Sequence, residues 1–168
     1  TLTIKEAQEL IETKVDVIAL DATLRKRPNE SLQEVFDYVK EHKQEHQLLM
    51  ADCSNKEDIQ NDIKLGVDII GTTMRGYTEE TKEQSNTEKD YEFISWCAEQ
   101  TKLANIKLVA EGGFNTPTDA KKAFEKGADI LVVGSAITRP RTIVQTFMKE
   151  IEKEKKWKKF IQHLHLNF

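Results

Sequence analysis

Two short apolar runs in the second half of the chain each end in residues that could do chemistry. Residues 108–110 lead into Glu111 and the glycine pair 112–113, and residues 130–133 lead into Gly134 and Ser135. In α/β barrels, the loops after neighbouring strands and the start of a short helix offer backbone N–H groups to a phosphate. One glycine pair alone is typical of an ordinary turn. Two such corners joined by one helix favour a phosphate site with a carboxylate beside it.

The elements that must position these residues alternate between strands and helices. Short apolar runs without polar alternation are typical of parallel strands that are buried on both faces. We predict five of them, followed in most cases by helical patterns, at residues 15–20, 47–51, 67–70, 107–110 and 130–133. This order favours right-handed crossovers and a parallel sheet, hence an α/β fold.

Capping residues mark the starts of four predicted helices. Each start has a side chain that can cap the first turn, and the caps are Thr3, Ser31, Asn55 or Ser54, and Thr116. Thr3 and Ser31 have a glutamate three residues later, which completes a capping box. Thr116 is followed by Pro117, a proline suited to the first helical position.

A helix–turn–Asp–strand unit occurs three times and separates two kinds of acidic residue. Asp16, Asp68 and Asp129 come early in their strands, at the end of a barrel that carries stability. The opposite strand ends carry polar or small residues that we expect to converge on a functional face, namely Asp21, Asp52, Thr72, Thr73, Glu111 and Gly134.

Two further segments have distinct compositions. Residues 78–89 are polar, which predicts a long exposed loop of the kind that often forms a lid. Residues 153–168 are lysine-rich with apolar residues at helical spacing. We interpret them as an amphipathic C-terminal extension packed outside residues 1–152, with a membrane-surface or partner helix as the alternative.

Composition limits the classes of protein. With 168 residues the chain can form one sizeable core, and a net charge of −4 argues against nucleic acid as a partner. No run of about 18 apolar residues predicts a membrane span. Cys53 and Cys97 lack metal-ligand spacing, so we expect reduced thiols, no metal and a cytoplasmic protein. The sequence begins with Thr1 inside a helical pattern, and we expect it to be an excerpt.

Several motifs, in order, resemble one enzyme family. They are Ala19-Leu20-Asp21-Ala22-Thr23, Met50-Ala51-Asp52, Gly71-Thr72-Thr73 with Gly76-Tyr77-Thr78, Ala110-Glu111-Gly112 with Thr116-Pro117, and Val133-Gly134-Ser135-Ala136-Ile137-Thr138-Arg139-Pro140. Together they are similar to N-acetylmannosamine-6-phosphate 2-epimerases, through residue 152. The resemblance implies a (β/α)8 TIM-type barrel. It also implies an isomerase that interconverts N-acetylmannosamine 6-phosphate and N-acetylglucosamine 6-phosphate in sialic acid and amino sugar catabolism.

The resemblance also implies roles for individual residues. Glu111 resembles the catalytic carboxylate, and Asp52 resembles an aspartate that contacts the sugar. Arg139, with the backbone around Gly113, Gly134 and Ser135, resembles the phosphate cradle. A sugar phosphate is therefore the expected partner, without cofactor or metal, and a homo-oligomer is left open.

One departure from the family is large. The five predicted strands resemble strands four to eight of the barrel, so the catalytic lysine near the end of strand three has no counterpart here. A five-strand piece leaves two open edges, which favour association. Two alternatives stay open, another phosphate-binding barrel enzyme and an inactive fragment that retains only the phosphate corner.

Inverting C2 of the open-chain sugar requires a proton to leave a carbon alpha to a carbonyl and another to return on the opposite face. One base and one acid must flank that carbon. A lysine with a lowered pKa and a carboxylate such as Glu111 would suit these roles. This scheme needs no redox cofactor.

Overall fold

A computed structural model describes residues 3–153 of the chain. The chain divides into two compact units, Thr1–Val132 and Val133–Phe168. Apart from Lys153, the predicted C-terminal extension lies outside the described residues. That extension and its boundary therefore stay predictions.

Five parallel strands form one sheet in the order of the sequence. They are β1 (Val17–Asp21), β2 (Leu48–Asp52), β3 (Ile69–Gly71), β4 (Lys107–Glu111) and β5 (Ile130–Val132). Each strand pairs in parallel with the next. The predicted strands and the parallel sheet are confirmed, with bounds that differ by one or two residues.

Helices connect the strands in the first unit, as the capping residues predict. They are α1 (Ile4–Glu12), α2 (Leu32–His42), α3 (Lys56–Leu65), α4 (Glu88–Ala104) and α5 (Pro117–Glu125). Thr3, Ser31, Asn55 and Thr116 each form a capping box at the start of a helix. These boxes satisfy backbone N–H groups that a helix leaves unpaired in its first turn.

One face of the sheet is covered by the helices and carries the main core. Ile18, Leu20, Leu49, Ile70 and Leu108 are almost fully buried there. They pack in one cluster with helical side chains such as Phe36, Ile59 and Ile94. Side chains alternate along a strand, so every second residue of each strand belongs to this core.

The opposite face, which we call the open face, holds a smaller cluster of Met50, Ile69 and Val109. Toward the amino end and the sheet edges its side chains are exposed, and Val17 and Ile130 retain 38% and 44% of their accessible surface. The prediction that the strands are buried on both faces is therefore wrong for β1 and β5. The apolar cluster on this face is confined to the central strands β2, β3 and β4.

The segment 78–89 is not the long exposed loop that its polar composition predicts. Thr78, Thr81 and Asn86 are buried, and Glu79–Thr81 forms a turn of 3-10 helix. Arg75 holds the segment by bonding the Ser85 carbonyl at 3.3 Å and the Glu88 carboxylate at 2.7 Å. Polar side chains are buried here because they bond to one another and to the backbone.

Two helix faces depart from a simple division into apolar inside and polar outside. On α5, the apolar side chain of Phe124 leaves 52% of its surface exposed. On α3, Asp58 and Asp62 are buried beside Ile59. Asp58 accepts hydrogen bonds from Ser54 and from the Leu24 amide, which explains how a carboxylate is accommodated there.

The second unit contains a short helix, α6 (Ser135–Thr138), and a longer one, α7 (Pro140–Glu152). Pro140 lies in the first turn of α7, where its missing N–H is tolerated. Phe147 and Val144 on α7 are exposed. Across residues 3–153, none of the helices combines the length and apolar character that crossing a bilayer would require.

Candidate active site

Three strands bring carboxylates to the same edge of the open face. In the sheet register Asp21 pairs with Asp52, and Asp52 pairs with Gly71. Glu111 ends β4, two residues after the partner of Gly71. Alternation along the strands puts Asp52 and Glu111 on the same face as Met50 and Val109. The predicted convergence at the carboxyl ends is confirmed for these residues.

A single hydroxyl group links the two candidate carboxylates. The Oγ1 atom of Thr73 lies 2.6 Å from Oδ1 of Asp52 and 3.2 Å from Oε2 of Glu111. Thr73 follows β3, the strand between those that carry the two acids. The three side chains therefore form a compact polar group at the carboxyl ends of β2, β3 and β4.

Burial makes both carboxylates easier to protonate. Burial raises the pKa of Asp52, the hydrogen bond from Thr73 opposes this effect, and the charge of Asp21 adds to it. Burial also raises the pKa of Glu111, with the charge of Asp52 as a further cause. Within residues 3–153 neither acid has an ion-pair partner. Raised pKa values without a structural ion pair are typical of proton-transfer sites.

Gly71 permits this close arrangement. A Cβ atom at this position would overlap the end of the flexible Met50 side chain and would lie 3.1 Å from the Asp52 carboxylate and 3.2 Å from the Thr73 hydroxyl. Met50 could move aside, but the hydrogen-bonded pair would have to shift by a few tenths of an ångström. Glycine at this strand end therefore accommodates the pair without that shift.

The backbone of Glu111 is held from two sides. The hydroxyl of Thr72 accepts from the Glu111 amide at 3.0 Å and donates to its carbonyl at 3.1 Å. The buried amide group of Asn86 donates to the carbonyls of Glu111 at 2.6 Å and Gly112 at 3.0 Å. The segment after Gly76 therefore folds back against the end of β4. Its hydrogen bonds help to fix the position of the Glu111 backbone.

Asp21 is occupied by its own loop. Its Oδ1 atom accepts from the amide and the hydroxyl of Thr23, and its second oxygen pairs with Arg25. Its carbonyl accepts from Arg27 at 2.7 Å. These contacts give Asp21 a structural role in shaping the loop, whereas Asp52 and Glu111 keep fewer partners.

The loop after β4 has two successive glycines in a backbone conformation that favours glycine. Gly112 and Gly113 both adopt left-handed conformations, with φ of 99° and 82°. Phe114 is buried against Tyr91, and Asn115 donates to the Gly113 carbonyl at 2.9 Å. Gly113 itself is exposed. Its predicted contact with a phosphate is not tested by this geometry and stays a prediction.

The other predicted phosphate residues belong to the second unit. Gly134 precedes α6, and its carbonyl accepts hydrogen bonds from the amides of Ile137 and Thr138. Ser135 begins that helix, and Arg139 follows it with an exposed side chain. Their predicted roles in phosphate binding also stay predictions.

Two contributors were not foreseen from the sequence. Thr73 was placed at the functional face without a role, and its bridge between two acids depends on residues 21 and 38 positions away. Asn86 lay inside the segment predicted to be exposed. The polar residues around Asn86 indicate exposure, so the sequence does not mark it as a support for the end of β4.

Fold and site together define the class of protein. The chain is a parallel α/β protein with a hydrogen-bonded carboxylate pair at the carboxyl ends of its strands, where enzymes of this architecture have their active sites.

Comparison with known proteins is more specific. The sequence profile of the family described as "Putative N-acetylmannosamine-6-phosphate epimerase" matches residues 1–153. The chain belongs to this family.

Individual relatives agree with that assignment. A protein from Mycoplasmopsis pulmonis named "Putative N-acetylmannosamine-6-phosphate 2-epimerase" is 55% identical over 149 residues, covering 89% of this chain and 65% of the relative. One from Malacoplasma penetrans is 48% identical over 154 residues, covering 90% and 64%. The chain thus spans just under two thirds of the length of these relatives.

A solved structure gives the same result. The N-acetylmannosamine-6-phosphate 2-epimerase from Clostridium perfringens matches with a TM-score of 0.76 and 40% identity. The match covers 89% of this chain and 62% of the solved chain.

Proposed function

We propose that this chain is part of an epimerase that interconverts N-acetylmannosamine 6-phosphate and N-acetylglucosamine 6-phosphate. The observation that carries the proposal is the pair Asp52 and Glu111, held 2.6 Å and 3.2 Å from one hydroxyl at the carboxyl edge of the sheet. Family membership supports the choice of substrate. The reaction belongs to amino sugar catabolism.

Glu111 is the proton-transfer group that this chain supplies. Epimerisation at C2 requires one group to remove the proton alpha to the carbonyl and another to return a proton from the other side. A carboxyl group with a raised pKa holds its proton closer to neutral pH than an exposed glutamate does. The second group is the lysine that the resemblance implies, and it has no assigned position among these residues.

Asp52 and the phosphate-binding residues position the sugar. Asp52 contacts a sugar hydroxyl from the floor of the site, beside Glu111. Arg139 and the backbone at Gly113, Gly134 and Ser135 bind the phosphate. Binding energy at the phosphate, remote from C2, helps to hold the reacting carbon between the acid and the base.

The five strands correspond to strands four to eight of a (β/α)8 barrel. Five strands of eight is close to the 62% of the Clostridium perfringens chain that the match covers. The open face also fits this assignment, because inward-facing residues of a barrel form a separate layer from the helix-covered core. On this interpretation Met50, Ile69 and Val109 lie inside the barrel, below the site.

Proton NMR in heavy water tests the function. N-acetylmannosamine 6-phosphate is incubated with the chain and, in parallel, with the chain joined to the part of the Clostridium perfringens enzyme that it does not match. We expect loss of the C2 proton signal and appearance of the gluco epimer in at least the second sample. Absence of exchange in both samples, with folding confirmed by circular dichroism, would contradict the proposal.

A further inference from the structure

The bridge at the carboxyl edge contains fewer protons than hydrogen-bond acceptors. A threonine hydroxyl has one proton to donate, and two ionised carboxylates have none. Oγ1 of Thr73 nevertheless lies 2.6 Å from Asp52 and 3.2 Å from Glu111. If both contacts are full two-centre hydrogen bonds, the hydroxyl donates to one acid, and the other acid is protonated and donates to the hydroxyl.

The two distances indicate the direction of donation. Hydrogen bonds to an ionised acceptor are short, and 2.6 Å is typical of a hydroxyl that donates to a carboxylate. The contact with Glu111 is longer, at 3.2 Å. The arrangement is thus Glu111–O–H to Thr73–O–H to the Asp52 carboxylate.

We propose that Thr73 is a positioning residue that keeps Asp52 ionised and leaves Glu111 as the carboxyl group that carries the proton. This inference rests on the proposed function for its meaning in the reaction. The direction of donation, from Glu111 to Thr73 and from Thr73 to Asp52, is a property of the chain without substrate.

The Thr73 hydroxyl has little freedom to choose another partner. The turn that holds it is fixed by backbone bonds from Thr72 to Val109, at 3.1 Å, and from Met74 to Cys53, also at 3.1 Å. A β-branched side chain in a fixed turn has few accessible rotamers.

The surrounding charges do not override the bridge. From β1, Asp21 faces Asp52, but Arg25 pairs with Asp21 and offsets its charge. From the turn after β3, Arg75 is engaged by Glu88 and lies over the Phe93 ring. From the segment before α4, the uncharged amide of Asn86 bonds the backbone carbonyl of Glu111. Thr73 is therefore the partner that distinguishes the two acids.

The direction of donation in the bridge makes Glu111 the group that gives a proton to C2. Glu111 begins as a carboxylic acid, and its O–H bond breaks as a C–H bond forms at C2 of the deprotonated sugar. The proton lost from C2 goes to the amine base of the proposed function. In the reverse direction Glu111, now a carboxylate, accepts the C2 proton. Asp52 stays ionised throughout and contacts the sugar.

Titration of the two carboxyl groups by carbon NMR tests the proposal on the 168-residue chain without substrate. Samples labelled at aspartate and glutamate side-chain carboxyls are compared with Asp52→Asn and Glu111→Gln samples to assign the signals. Thr73→Val removes the hydroxyl and keeps the shape, and Thr73→Ser retains the hydroxyl as the matched control. If Thr73→Val fails to fold, Thr73→Ala is measured in its place.

We expect Asp52 to ionise at lower pH than Glu111 in the parent chain and in Thr73→Ser. In Thr73→Val the Asp52 midpoint should move upward by about one pH unit, because a hydrogen bond to its charged form is lost. Unchanged midpoints in Thr73→Val, or Glu111 ionising first in the parent chain, would overturn the proposal. Since the measurement needs no turnover, an absent epimerase activity would not affect it.

Discussion

The two ends of this sheet use acidic side chains in opposite ways. At the amino ends, Asp68 accepts from the Leu49 amide of the neighbouring strand at 2.8 Å, and Asp129 accepts from the Leu108 amide at 2.9 Å. At the carboxyl ends, the side-chain carboxylates of Asp52 and Glu111 accept from no backbone amide among the described residues. Their one shared partner there is the Thr73 hydroxyl.

The acidic side chains at the two ends of the sheet also differ in the direction in which their pKa values are shifted. A hydrogen bond from Lys107 and one from the Leu108 amide lower the pKa of Asp129. Burial raises the pKa of both Asp52 and Glu111. The charged form of Asp129 is stabilised at the amino end, whereas burial destabilises the charged forms of Asp52 and Glu111 at the carboxyl end. The amino end therefore serves the fold, and the carboxyl end is available for chemistry.

The largest effect should come from removing the acid at the carboxyl end. Glu111→Gln keeps the size and the backbone contacts but cannot carry the proton, so epimerisation should fall by about 10²–10⁴-fold. The rate is measured by proton NMR on the active form of the protein. Thermal stability should be unchanged at pH values where Glu111 keeps its proton and slightly higher where Glu111 ionises, because the variant never places a charge in this half-buried site.

Asp62 extends the comparison to a buried acid away from the open edge. Burial raises its pKa to about 7, against partly opposing hydrogen bonds from Cys53 and Asn61. The folded chain therefore binds more protons than the unfolded chain between about pH 4 and 7. Stability should fall as the pH rises through that window, and it should level off above it.

Asp62→Asn should remove this slope. At pH 8 the variant should be more stable than the parent by about 1–3 kcal/mol, and near pH 4 the two should be similar. Urea unfolding at several pH values measures the difference. A parent chain whose stability rises between pH 4 and 7, with no change in slope for the variant, would contradict this account.

At the amino end, loss of an acceptor should affect stability alone. Asp68→Ala leaves the Leu49 amide without its partner and should cost about 1–2 kcal/mol of unfolding free energy. Asp68→Asn keeps an acceptor oxygen and serves as the matched control. Once folded, both variants should epimerise at the parent rate, which would separate this end of the sheet from the site.

The smallest effect should come from the exposed ion pair at the amino end. Lys107 and Asp129 lie 2.8 Å apart, with the lysine side chain largely exposed. Lys107→Met should change the unfolding free energy by no more than about 1 kcal/mol, and less at high salt. Urea unfolding at low and high salt checks this, and a larger loss would mean that the amino end depends on charge pairing.

The sequence predicts the parts of this fold that depend on near neighbours. Capping boxes at Thr3 and Ser31 involve residues three positions apart, and the apolar runs of the strands are continuous in the chain. The edge that gathers Asp52 and Glu111 follows from the parallel order of the strands.

The parts that could not be predicted depend on contacts between distant residues. Asn86 is buried because it bonds to carbonyls 25 and 26 positions away, and its own polar segment indicates exposure. Phe124 is exposed and Asp62 is buried because partners elsewhere in the fold decide which helix face is covered. Helical periodicity alone does not contain that information.

In this protein we place the chemistry at the carboxyl ends of the strands and not at the amino ends. Conversion of N-acetylmannosamine 6-phosphate to its gluco epimer, followed by proton NMR for Glu111→Gln and Asp68→Asn side by side, tests this claim most directly. We predict that the gluco epimer is not formed by Glu111→Gln and is formed at the parent rate by Asp68→Asn. Formation of the gluco epimer at the parent rate by Glu111→Gln would contradict the claim.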